Sequence, residues 1–387
     1  MKNDLLTGKP IKSIILFALP IMASSMLQYN YNLVDNIIVG RFVGTDALAA
    51  VGSVGSINGF IIGAALGLTS GFTITVSQSF GANDKNKMNK YAGSSIMLSL
   101  IIGVLIVVIA HILCYPLLRL LKTPDSIIDM AASYLDVLYF AVPVQMLLNN
   151  FNALSRAVGE SKKPLYFLIA SVFVNLFLDL LFVGHFKWGV IGAAWATNIS
   201  QIVAAVLAGV YILKYNKELN ITAGDLKLNT KVALNQIKMG IPISLQFTIT
   251  SIGSMTLQTA VNGFGANVIA GFTAAGRVEQ LTNIPMSGLG VGTMTFVSQN
   301  YGAGNYNRIV KSVRKIFLLD IAVSVVCSLL LVLIGPSVVK LFMTDYNADI
   351  MFAAKHYLSA IAQCYSLVAV LFVFRNTLQG LGFTYSN

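Results

Sequence analysis

Val76-Ser77-Gln78-Ser79-Phe80-Gly81-Ala82 returns, at an offset of 221 residues, as Val297-Ser298-Gln299-Asn300-Tyr301-Gly302-Ala303. At nearly the same offset Leu19-Pro20-Ile21 matches Ile241-Pro242-Ile243, and Gly44 matches Gly265. Further along, Arg156-Ala157-Val158-Gly159 resembles Gln379-Gly380-Leu381-Gly382. The chain therefore contains the same unit twice, read in the same direction. Parallel repeats with an even number of helices, each starting on the same side of a membrane, are a transporter architecture.

Composition puts the repeat in lipid. Of 387 residues, 56% are hydrophobic and only 11% are charged. A soluble domain carries roughly 25% charged residues to cover its surface, so much of this surface must face something other than water. The net charge of +11 does not indicate a nucleic-acid partner. Nucleic-acid binding needs a basic face with aromatic residues interleaved. Here Lys and Arg stand in short clusters between apolar runs, which suits loops facing an anionic leaflet. The expected partner is the bilayer. Cys114, Cys327 and Cys364 lie in apolar stretches without metal-ligand spacing and read as small hydrophobes. The apolar stretch at 14–39 is too long for the core of a cleavable signal and reads as the first span.

A membrane-crossing helix needs about 20 mostly apolar residues. Ten stretches qualify: 13–39, 47–79, 90–119, 127–155, 164–185, 190–214, 236–262, 267–299, 309–335 and 350–382. Pro20, Pro143, Pro242 and Pro285 fall inside them, where a neighbouring helix can satisfy the freed backbone. With the N-terminus inside, the inner segments hold 18 Lys and Arg and the outer segments, Lys122 among them, hold 6. That bias predicts a multi-pass protein of the cell membrane with a cytoplasmic N-terminus. The predicted fold is all-α, with two pseudo-symmetric bundles of six transmembrane helices. Residues 1–214 form the first bundle, 215–235 a cytoplasmic linker, and 236–387 four helices of the second. The first half continues past Gly159 with two more spans, whereas the second stops at Asn387 where those would begin. The expectation is a fragment of a twelve-span protein.

Charged groups inside a span cost roughly 2.5–3.5 kcal/mol each on insertion scales, so each needs a reason. Asp35 lies in the first span; Asn175 and Asp179 lie four apart, on one face of the fifth; Thr197 lies in the sixth. Span lengths put Asp35, Asp179 and Thr197 each about 10 Å below the outer end of their helix. Two carboxylates, an amide and a hydroxyl at one depth can ligate a hard cation through oxygen. The carboxylates can instead share a proton, or each can simply bond a neighbouring helix. In the second half Arg277, Glu279 and Gln280 sit mid-span, and Gln246 and Gln258 lie on the seventh span. These, with Met26, Tyr29 and Tyr31, are candidates to line a cavity for bulky organic cations, through ring faces and soft sulfur. Packing is the competing reading for the aromatics, and an interhelical pair for Arg277 and Glu279. Gly63, Gly67 and Gly71 follow small-xxx-small spacing and read as helix packing.

No catalytic constellation stands out. His111, His185 and His356 are scattered, and no Gly-rich phosphate loop with its Lys-Ser/Thr is present, so neither an enzyme nor direct coupling to ATP is expected.

Leu33-Val34-Asp35 followed by Val39-Gly40 and Ala47-Leu48-Ala49-Ala50 resembles the first-span signature of the multidrug and toxic compound extrusion (MATE) family. The two Val-Ser-Gln-x-aromatic-Gly-Ala copies and the Asn175-x-x-x-Asp179 pair are similar to that family too. The resemblance implies two six-helix bundles around a V-shaped cavity with alternating access. It also implies a cation site in the first bundle, on positions that fall here on Asp35, Asn175, Asp179 and Thr197. A second branch of the family uses acidic residues in spans seven and ten, and neither is found here. The resemblance thus implies antiport of organic, cationic compounds against Na⁺ or H⁺ without a cofactor, and a monomer is the expected state. The competing readings are a flippase of lipid-linked saccharides and a channel or scaffold. A flippase handling pyrophosphate would need several cavity-facing basic residues, and only Arg277 stands out mid-span.

Overall fold

The computed structural model describes residues 4–121, 123–340 and 348–384, so Lys122 lies outside the described residues. Regular structure among the described residues is entirely helical. Lipid offers no hydrogen bonds to a backbone, and a helix satisfies its own. A short α1 (Asp4–Thr7) precedes α2 (Pro10–Phe42), α3 (Thr45–Gly81) and α4 (Lys85–Leu120). Next come α5 (Asp125–Phe140), α6 (Val142–Ala157), α7 (Lys162–Asp179) and α8 (Gly189–Val210). Then follow α9 (Thr230–Asn262), α10 (Ala266–Gly302), α11 (Tyr306–Leu333), the short α12 (Gly335–Lys340) and α13 (Ala348–Leu381). Helix α7 widens into a π turn at Leu180–His185, and α8 into another at Tyr211–Tyr215.

Each expected span falls on helix, with breaks in two: the ninth, expected over 309–335, leaves α11 after Leu333 and enters α12 at Gly335. The fourth, expected unbroken over 127–155, is two helices, α5 and α6, bent by 49°. Pro143 is the cause: it has no N–H to donate back to Tyr139, and its ring crowds that carbonyl. Gly103 on α4 makes room for the bend, since a Cβ there would lie 2.6 Å from Pro143 Cα. Seven described helices are long and apolar enough to cross a membrane, or eight if the bent pair is one span. The remaining two long helices, α9 and α10, are rich in Ser, Thr and Gln and do not reach that apolarity.

The described chain divides into two compact units. One contains the residues up to Met22 and those from Ile252 onward; the other is Ala23–Ser251. The boundaries thus fall inside α2 and α9, and the connection expected at 215–235 is already helical from Thr230. Glycines explain where the parting lies. A Cβ on Gly67 would lie 2.5 Å from Ser244 Cα, and one on Gly71 would lie 2.4 Å from Gly240 Cα. The start of α9 is therefore in backbone contact with α3. At the repeat offset, a Cβ on Gly288 would lie 2.5 Å from Met22 Cγ, and one on Gly292 would lie 3.3 Å from Ile14 Cγ2. The start of α2 packs on α10 as the start of α9 packs on α3. Each half lends the beginning of its first long helix to the other.

Within Ala23–Ser251 one apolar cluster gathers Val54, Leu118, Leu135, Met146 and Ala194, and a second Val76, Leu154, Ala208 and Ile212. Gln236, fully buried, donates its Nε2 to the carbonyls of Phe72 (3.0 Å) and Tyr91 (2.8 Å) and pins α9 there. In the other unit α10, α11 and α13 enclose two clusters, one around Met286, Leu331 and Tyr365 and one around Ile14, Phe296 and Ile316.

Candidate cation site

Three helices of the Ala23–Ser251 unit supply the site. On α2, Tyr31 and Asp35 are one turn apart and share a face. On α7, Asn175 and Asp179 share a face in the same way, and Asp179 is the last residue before the chain widens into its π turn. Such turns interrupt the regular ladder and are frequent at functional sites. On α8, Thr197 and Ser200 complete the group.

Packing brings these residues together. The carboxyl groups of Asp35 and Asp179 are neighbours, near enough for each to feel the other's charge. Tyr31 Oη lies 3.4 Å from Thr197 Oγ1, bridging α2 and α8. Ser171 Oγ donates to the Ser200 carbonyl at 3.1 Å, tying α7 to α8, and Ser200 Oγ donates to the Thr197 carbonyl at 2.8 Å. Tyr134 on α5 is buried and close enough to feel Asp35, Tyr31 and Asp179.

The electrostatics of this group are unbalanced. Asn175 is 2% exposed and Asp179 is 1% exposed. Asp35 Oδ1, both carboxyl oxygens of Asp179 and the Asn175 Nδ2 have no hydrogen-bond partner among the described residues. Buried polar atoms are almost always partnered, and a buried charge without a partner costs several kcal/mol. Two such carboxyl groups side by side form a place that a cation or a proton would stabilise.

The remaining candidates are divided between the units. Met26, Tyr29 and Gln246 belong to Ala23–Ser251, where Met26 is 49% exposed and Tyr29 and Gln246 are half-buried. Gln258, Arg277, Glu279 and Gln280 belong to the other unit. There Gln258 donates its Nε2 to Asn262 Oδ1 on its own helix at 3.0 Å. Glu279 accepts from Tyr357 Oη at 2.6 Å, and Tyr365 Oη sits 2.7 Å from Thr282 Oγ1 and donates to the Glu279 carbonyl at 3.2 Å. Glu279 is thus held between α10 and α13, while Arg277 and Gln280 are exposed. Sequence reading missed Tyr134 and Ser200, which carry no local signal beyond ordinary helix composition. It also missed Asp320, a carboxylate in the middle of the span expected at 309–335, which the cost of intramembrane charge should have flagged.

Long apolar helices in a repeated order, with two neighbouring acidic side chains short of donors among three of them, define a multi-pass helical membrane protein of the transporter class. The MatE family profile matches residues 20–181 and 242–385, most of the chain. The chain belongs to the MatE family, whose members are transporters rather than enzymes. It is 29% identical over 341 residues to the probable multidrug resistance protein YoeA of Bacillus subtilis (strain 168), covering 86% of this chain and 74% of that protein. Against the multidrug export protein MepA of Staphylococcus aureus (strain MW2) identity is 25% over 372 residues, 96% of this chain and 82% of the relative. A solved outward-facing multidrug resistance MATE family transporter superposes with a TM-score of 0.92 at 26% identity, over 100% of this chain and 86% of that one.

Proposed function

We propose that the chain exports organic cations in exchange for Na⁺ or H⁺, with coupling at the Asp35–Asp179 pair. The observation that carries this reading is the half-buried Asp35 carboxyl beside the buried Asp179, with no donor for Asp35 Oδ1 or either Asp179 oxygen among the described residues. An incoming ion binds between them, with Asn175 and Thr197 as further ligands when the ion is Na⁺. A proton needs the carboxyl oxygens alone. Binding can drive export only if the two transport states differ in ion affinity. The pair supplies that difference when a small movement of α2 against α7 separates the oxygens. The drug-export names of relatives support a bulky substrate, and Met26, Tyr29 and Tyr31 would meet it. A cytoplasmic N-terminus, a monomer and the cell membrane as location belong to the same reading.

Proteoliposomes test it, with Na⁺ and pH gradients imposed separately and ethidium as the probe. Efflux driven by one gradient and lost in Asp35→Asn is the expected result. Ethidium efflux from Asp35→Asn at the wild-type rate overturns the assignment.

A further inference from the structure

Asp320 stands at the middle of α11, and its exposure is 0%. Neither carboxyl oxygen has a hydrogen-bond partner among the described residues. It is not part of the pair described above, because it lies in the other compact unit. Its face of α11 runs Ile309, Ser312, Ile316, Asp320, Ser324, Cys327, Leu331, a buried seam at helical spacing.

Cross-helix contacts fix what surrounds it. The Phe317 and Phe374 rings are 5.9 Å apart, and Ser328 Oγ donates to the Ala362 carbonyl at 2.8 Å. Helices α11 and α13 are therefore antiparallel, and Asp320 stands at the depth of the buried Ala369 and Val373. Ile316 belongs to one apolar cluster and Cys327 to the other, and Val323 packs against both. Met286 and Leu289 of α10 enter the same two clusters.

The titratable and charged groups of the packed helices are engaged elsewhere or turned outward. Cys327, two turns along α11, is electrostatically in range but is no base. On α13, Tyr365 donates its hydroxyl to the Glu279 carbonyl and its Oη lies 2.7 Å from Thr282 Oγ1, Tyr357 donates to Glu279, and Arg375 lies over the Phe372 ring at 4.5 Å. Arg308 donates to the carbonyls of Leu5 and Gly8. Lys311, Arg314, Lys315, Arg277, Lys340, Lys355 and His356 are exposed.

We infer that Asp320 is a proton-binding site of the C-terminal unit, separate from the Asp35–Asp179 pair. A hard metal cation needs several oxygens around it. Here Ser324 donates its hydroxyl to the Ile321 carbonyl and Asn376 its amide to the Phe372 carbonyl, and among the described residues no acidic cluster shares the place. A proton needs one oxygen, and it removes the charge that these apolar walls cannot solvate. Since Asp320 is wholly enclosed, the proton exchanges only when α11 and its neighbours part, so its loading follows the conformation of this unit.

Infrared spectroscopy of the full chain in lipid bilayers tests this, through the carbonyl stretch of neutral aspartic acid. The measurement is made in the Asp35→Asn/Asp179→Asn double variant with isotope-labelled aspartate, so that failure of the pair as the coupling site leaves this readout untouched. The expected result is a labelled neutral-acid band that fades as pH rises and disappears when Asp320→Asn is added. Three outcomes overturn the inference: no such band in the double variant, a band that persists unchanged at every pH, or one that survives Asp320→Asn. The first two require no change at Asp320 and stand even if that variant fails to fold.

Discussion

The two units place their acidic residues differently, as a pair in one and singly in the other. In Ala23–Ser251, Asp35 and Asp179 meet with no donor for Asp35 Oδ1 or either Asp179 oxygen, whereas in the other unit Glu279 is capped by Tyr357 at 2.6 Å and held between two helices. The backbone repeat is faithful enough that Gly67 and Gly71 have counterparts in Gly288 and Gly292 doing the same packing. The polar side chains do not repeat: Asp35 aligns near Leu257. Helix packing therefore preserves the frame in both halves, while the carboxyl pair occurs in one half only and the other holds a hydrogen-bonded Glu279 and the lone buried Asp320. An unsatisfied pair is costly to keep, which marks it as the place that does something with an ion.

Substitutions sharpen or break that contrast. The largest effect is expected from Asp179→Asn or Asp35→Asn, which removes the shared charge. Ion-driven export should fall by about 5- to 150-fold, the range of ordinary coupling free energies, in gradient-driven ethidium efflux. Equal efflux from variant and wild type would dissolve the distinction between the units. Next comes Gly71→Leu, which forces a side chain into the backbone of Gly240. Overpacking of this kind costs about 1–3 kcal/mol, seen as earlier thermal unfolding in detergent, and Gly292→Leu should behave alike if the exchange of helix starts is symmetric. Tyr357→Phe leaves Glu279 without its donor and should destabilise the protein by about 1–2 kcal/mol. If Glu279 is structural, that variant keeps its ion dependence, and a changed Na⁺ or pH response would show that the second unit also couples. The smallest effect is expected for Thr197→Ala. It removes one hydroxyl contact with Tyr31, worth about 1 kcal/mol, and should weaken apparent ion affinity by a few-fold if Na⁺ is the ion.

Much of this frame was legible beforehand. Apolar runs of span length became helices because the backbone in lipid has no alternative, and the repeated Val-Ser-Gln segments fell at the ends of α3 and α10. The Pro143 bend was harder to foresee, since whether a proline kinks or divides a span depends on what faces it, here Gly103. The depth argument for Asp35, Asp179 and Thr197 used only helical rise. Depth says nothing about azimuth, and Tyr134 entered the group from a helix to which no role had been assigned.

The sequence alone determined that this chain is helical, membrane-spanning and twofold repeated, because hydrophobicity and backbone hydrogen bonding act on consecutive residues. Tertiary structure decided which side chains meet. Tyr31 and Thr197 touch across 166 residues, and the beginnings of α2 and α9 change partners at glycine seams. Such contacts follow from close packing of whole helices, where a single absent Cβ sets how near two backbones come.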